Sequence, residues 1–444
     1  MIYGSSAVLV AALAAAGLGW MLYLALVHQG AFLGLILFLT VVEATRDFGI
    51  SPTDSFESAW YIGHTGTLMT FGSVEVHIDD LLTVVCAAAA IIGVARFRGG
   101  ALAGYLIASI AALVLIGLLF FAQSVGITHS INYSRKWLLA ISMVAYGATT
   151  TRPWNWQDLR WVVAAGLLAC VLAAAEIRLH GLGSAVGLTV SNGVALNGRP
   201  LGPQAVLIIL LAAWAVALAP GRLGATRILL IALFATTILA AQVRSVWLAA
   251  AIGLIVWWAV RLAGSNRFVL THLAWSVVGV ILGLVVLAAT VLQSNSLQQS
   301  LTDQSTYQWR LSRWDESLGI ARSSIEWLLG GTFGPTPASV IDSFHGLYAH
   351  SLYLWSTETI GIVGAAMMLI LIAALCLRSP QGSGGSWPLI TGVTALAYGY
   401  TYGLPGWYWL MIGLCAGWMA KPKAKSAEVR QTAPPSALLA QLQS

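Results

Sequence analysis

The chain has 444 residues, of which 58% are hydrophobic and only 9% charged, and its mean hydropathy is +0.82; soluble domains use roughly 25% charged residues. This composition excludes a soluble enzyme or a row of soluble domains and predicts an all-α integral membrane protein, a polytopic bundle with no large soluble domain. The formal charge of +6 is expected mainly in cytoplasmic loops, so it gives no ground for a nucleic-acid partner.

Spans are expected where some 20 apolar residues can cross about 30 Å of hydrocarbon. In chain order they are Ser6 to Val27, Ala31 to Ala44, Leu81 to Ala95, Ala101 to Ala122, Trp137 to Thr149, Trp161 to Ile177, Pro203 to Pro220, Arg227 to Ala241, Val246 to Ala263, His272 to Leu292, Leu352 to Leu377, and a last stretch from Trp387 to Ala420. The total is about 12 crossings. The last stretch is expected to split in two at Gly403, Leu404 and Pro405, since Gly and Pro break a membrane helix where neighbours repair its backbone. No basic region precedes Ser6 and a second apolar span follows directly, so the first stretch reads as a retained helix and not a secretory signal. Cys86, Cys170, Cys376 and Cys415 fall inside apolar stretches without metal-ligand spacing and read as packing residues.

Lys and Arg collect in loops that resist translocation. Arg96 with Arg98, Arg152 with Arg160, Arg222 with Arg227, Arg261 with Arg267, Arg378 and the tail from Lys421 to Lys425 therefore mark the cytoplasmic side. The loops 123–136, 178–202, 242–245 and 293–351 then face outward. Parity holds from Leu81 onward, but two spans before it place Met1 outside, so one of the first spans is expected to be split or re-entrant. The membrane domain covers 1–420 and a polar, Ala/Pro-rich tail over 421–444 is expected to be disordered and cytoplasmic.

The outward loop 293–351 is far longer than the roughly 15 residues beyond which loops tend to be functional or disordered. Its aromatic content, with Trp309, Trp314, Trp327 and Phe333 among others, suits a folded cap at the interface. Within it YQWRLSRWDESLGIARSSIEWLLGG reads as an amphipathic helix, with Trp309, Arg313, Glu316 and Ile320 on successive turns, and GGTFGPTP then breaks it.

Three outward residues carry a chemical reading: Arg244 at the mouth of a span, Arg310 in the cap, and His350 just before Leu352. Guanidinium groups hold a diphosphate through paired hydrogen bonds, and an imidazole takes a proton from a hydroxyl near neutral pH. Taken singly, each has an ordinary reading as a snorkelling anchor, a solvated helix residue, or an interfacial ring. Taken together on one face, they describe a transferase with a phosphate leaving group. Arg199 is a possible third contact, Arg313 a secondary one, and His345 an alternative base. Glu358 lies about 12 Å along the helix axis from His350, and a carboxylate inside a span needs a partner or a function. The tryptophans and tyrosines, including Trp407, Tyr408 and Trp409, read mostly as an interfacial belt. No carboxylate cluster of the kind that holds a divalent ion is visible, so neither a metal nor another cofactor is expected.

The same residues resemble a family. QVRSVWLAAAIGLIVWW is similar to the Ser-Arg start of a span in the O-antigen ligase and Wzy-type polymerase superfamily, with Arg244 and Ser245 in swapped order. Arg310 with Trp314, followed by Gly330, Gly331 and Gly334, resembles its Arg, Trp and glycine-rich turn. HSLYLWSTETIGIVGA resembles its His-Asn element, with Ser351 where Asn is usual and Glu358 intact ahead of Gly361 and Gly364. The likeness covers about 199–366, and the order of its elements is more specific than any one of them. It implies a metal-independent, inverting GT-C glycosyltransferase of the bacterial inner membrane with a periplasmic active site. Such an enzyme takes a glycan from undecaprenyl diphosphate, with His350 as general base and Arg244 and Arg310 at the departing diphosphate. The acceptor is lipid A-core for a ligase, the reading preferred here, or a second lipid-linked glycan for a polymerase. A transporter or flippase of the lipid-linked glycan is the rival class; the sequence lacks the internal repeat with paired broken helices that would favour it.

Overall fold

The computed structural model describes residues 2–46, 69–71, 74–150, 154–180, 185–189, 195–198, 200–220, 224–264, 322–333, 351–377 and 386–418, with isolated positions between 308 and 319. These form a helical bundle. Two long helices open it, α1 (Ile2–Val27) and α2 (Gln29–Arg46). A small antiparallel hairpin, β1 (Met69–Phe71) and β2 (Val74–Val76), precedes α3 (Ile78–Ile92). Then come α4 (Gly100–Val125), α5 (Ile127–Ala148) and α6 (Arg160–His180). A second hairpin, β3 (Ala185–Thr189) and β4 (Ala195–Gly198), leads to α7 (Pro203–Leu218), α8 (Ala225–Ala240) and α9 (Arg244–Gly264). The short α10 (Ser324–Leu329) is followed by α11 (Leu352–Cys376), α12 (Ser386–Gly399) and α13 (Gly406–Cys415).

Three stretches, Gly100–Gln123, Arg160–Leu179 and Leu352–Cys376, are long and apolar enough to cross a membrane, and shorter apolar helices pack around them. Exposed apolar side chains such as Ile91, Tyr105, Leu119 and Leu229 stud the outside of the bundle, as expected where lipid takes the place of water. All four cysteines are free and buried.

The Arg-rich loops gather at one end. The Arg98 amide donates to the Ala148 carbonyl at 3.0 Å and the Trp154 amide to that of Gly417 at 3.1 Å. Trp156 packs edge-on against both Trp387 and Trp418 there. Arg227 donates to the Ala219 and Pro220 carbonyls, placing a cation at the negative end of α7, where the helix dipole favours it. The α1–α2 turn lies at this same end, because the Tyr146 hydroxyl near the end of α5 donates to the Ala25 carbonyl at 2.7 Å. Both helices are continuous within their bounds. Only the residue His28 separates them, and its backbone continues the hydrogen-bond ladder on both sides.

Two further expectations are corrected. The segment 123–136 is helix on both sides of Gly126, whose φ of +89° makes the one tight turn. A helix can carry SINYSRK here because protein, not lipid, surrounds its charge: Arg135 is buried and pairs with Asp80 of α3 at 2.8 Å. Trp407, Tyr408 and Trp409 are core residues and not an interfacial belt. All ten residues of α13 are buried, its closest packing is against α5, and the Tyr408 hydroxyl donates to the Thr391 carbonyl at 2.8 Å. The last apolar stretch does divide, with α12 ending at Gly399 and α13 starting after Pro405. A half-length helix is tolerated where protein surrounds it.

Candidate functional site

The end of the bundle opposite the Arg-rich loops collects the starts of α3, α5, α9, α11 and α13. Arg244 is the first residue of α9. Gln242 takes the left-handed conformation (φ 56°) to turn the chain between α8 and α9, and the Trp247 indole closes that turn by donating to the Ile238 carbonyl at 2.9 Å. The half-buried Arg244 thus stands at the N-terminal, positive end of the α9 dipole.

Glu358 sits in the outer part of α11 and its partner is Arg322, with Nη2 3.5 Å from Oε1; both side chains are buried. Arg322 also lies over the Trp327 ring at 5.1 Å, a cation–π contact that shares in holding the buried charge. The expected cap helix does not run through this point. Arg322 and Ser323 are non-helical, and α10 begins afresh with Ser323 as its cap. The Ser323 hydroxyl accepts from the Glu326 amide at 3.2 Å, and the Glu326 carboxylate accepts from the Ser323 amide at 2.6 Å. This reciprocal pair is the S-x-x-E signature of a helix start, and it stands in the sequence at Ser323 to Glu326.

Two glycines lock α10 to α11. Gly361 interrupts α11 with φ 70° and ψ 176°, and Gly330 ends α10 with φ 102° and ψ 164°. Both conformations belong to glycine alone. A Cβ on Gly361 would overlap the Leu328 carbonyl, and one on Gly330 the Thr359 carbonyl. Beyond this crossing Thr332 faces Gly117 of α4, with no space for a Cβ between them, and Phe333 packs on Phe120 at 5.7 Å. The expected break at the glycine-rich turn is present, and it is wedged between α4 and α11. Nearby, Trp314 meets the Tyr400 ring edge-on at 5.5 Å.

The outer half of α11 is also fixed to α5. Trp137 stacks on Trp355 at 4.4 Å with an interplanar angle of 8°, and its indole donates to Thr359 Oγ1 at 2.7 Å. A crevice with room for about one water, roughly 10 Å³, lies beside this stack, lined by Asp79, Arg135, Lys136, Trp355 and Trp409 among others. Sequence reasoning missed Arg135 and Arg322. The lack of any Gly or Pro from Ile127 to Trp137 was the available sign that Arg135 is helical.

Arg199, Arg310, Arg313, His345 and His350 lie outside the described residues, as do the span 272–292 and the tail 421–444. Among the described residues no group of three or more His, Cys, Asp or Glu could hold a metal ion. No known protein family matches the chain, and no characterised protein matches it in sequence.

Proposed function

We propose that this chain is an O-antigen ligase of the bacterial inner membrane, crossing it about 12 times. It transfers a glycan from undecaprenyl diphosphate to a sugar hydroxyl of lipid A-core at the periplasmic face, with inversion and without a metal. The observation that carries this reading is Arg244 at the first position of α9, at the end of the bundle away from the Arg-rich loops. A guanidinium at a helix start can hold a phosphate through paired hydrogen bonds alongside the helix amides, and a diphosphate is the anion that the resemblance supplies. Arg310 completes the clamp and His350 removes the acceptor proton as the diphosphate leaves.

Arg244→Lys tests this. It keeps the charge and loses the planar fork, so transfer by the purified variant is expected to fall about 10²-fold, comparable to losing one strong donor at a developing anion. Wild-type activity in the lysine variant removes the clamp. A Wzy-type polymerase would use the same donor chemistry, and only the acceptor separates the two activities.

A further inference from the structure

We infer that Arg322 and Glu358 form a positioning pair that registers the cap segment against the kink of α11 and thereby sets affinity for the lipid-diphosphate donor; the second half of this statement rests on the function proposed above. Three features converge on the pair. Its partners come from segments 36 residues apart, one from the cap and one from the outer half of α11. It lies beside two backbone crossings that glycine alone permits, at Gly330 and Gly361. The far side of the same segment is seated on α4 through Thr332 and Phe333. The two glycine crossings fix how closely α10 and α11 approach; the ion pair adds a side-chain contact that holds the start of the cap segment against α11. Breaking a buried ion pair by removing one partner is strongly destabilising, so the joint between α10 and α11 is expected to loosen. Along the chain Arg310 precedes Arg322, and His350 precedes Glu358, so the pair joins the two stretches of sequence that carry the proposed machinery. Neither Arg322 nor Glu358 is assigned contact with substrate.

The experiment has two readouts on the full chain in detergent. Thr332 is buried, so in a Thr332→Cys chain a membrane-impermeant maleimide is expected to label the new thiol slowly; the four native cysteines are buried as well. Adding Glu358→Gln or Arg322→Gln is expected to raise labelling at least about tenfold and to raise the Kd for undecaprenyl diphosphate about tenfold, equivalent to about 1.4 kcal/mol. Arg322→Lys, which keeps the charge pair, is expected to stay close to wild type in both readouts, a rescue that general loss of packing would not give. Unchanged labelling in Glu358→Gln overturns the joint. Raised labelling with unchanged Kd overturns its role in donor affinity. If the wild-type chain does not bind undecaprenyl diphosphate, the proposed function fails, and the labelling arm still decides whether the pair holds the cap.

Discussion

His350→Ala is expected to lower glycan transfer by about 10²- to 10⁴-fold, the range contributed by a positioned general base, while leaving donor binding near wild type. The next residue, Ser351, is the buried N-cap of α11, and its carbonyl accepts from the Trp355 amide at 3.0 Å in the first helical turn. That turn is held by the Trp137–Trp355 stack and the Trp137–Thr359 hydrogen bond. The helix that follows His350 in sequence is therefore held in place at its start, the kind of support a base needs to meet its substrate in productive geometry. Transfer rate and donor Kd measured on the same preparation check this. Loss of rate with unchanged Kd fits a base, and transfer at wild-type rate removes His350 from the role and leaves His345 as the candidate.

The second large effect concerns the fold. Gly361→Ala is expected to destabilise the protein by at least about 3 kcal/mol, because any Cβ there meets a sparsely populated backbone region and a packed neighbour together. At φ 70° and ψ 176° the residue has no alternative to glycine, and the Leu328 carbonyl occupies the position that a Cβ would need. Gly104→Ala is the matched control. Gly104 lies inside α4, and the nearest atom to a Cβ is Cε1 of the Phe97 side chain at 3.3 Å, so alanine there is expected to be neutral or stabilising by up to about 1 kcal/mol. Thermal unfolding in detergent compares the two. Equal midpoints for Gly361→Ala and Gly104→Ala would show that α10 and α11 are not interlocked.

Much of this architecture is legible in the sequence, because hydrocarbon thickness makes apolar length a direct readout of helix position. The expected stretches from Ala101 to Ala122 and from Leu352 to Leu377 correspond closely to α4 and α11. The break between α12 and α13 follows from Gly403 and Pro405, which punctuate a helix whatever surrounds it. What was not legible depends on which neighbours a polar residue finds. Arg135 in a run of polar residues reads as loop until Asp80, 55 residues earlier by subtraction of their numbers, is known to face it. Trp407, Tyr408 and Trp409 have the composition of an interfacial belt, and only the packing of α5 and α12 around α13 makes them core. Glu358 was visible as a carboxylate needing a partner, but Arg322 was hidden inside an apparent amphipathic helix that ends before it. Of the candidate site, the position of Arg244 at a helix start was readable from the apolar stretch that follows it. The interlock of Gly330 and Gly361 was not, since a glycine-rich turn does not say which backbone it will touch.

The central claim is transfer of a glycan from a lipid diphosphate. Its most direct measurement is release of undecaprenyl diphosphate from its glycan-linked form by the purified full-length chain, with lipid A-core or a second lipid-linked glycan as acceptor, in the presence and absence of EDTA. The account predicts release that depends on lipid A-core and is unchanged by EDTA. No release with either acceptor, or release abolished by EDTA and restored by Mg²⁺, would contradict it.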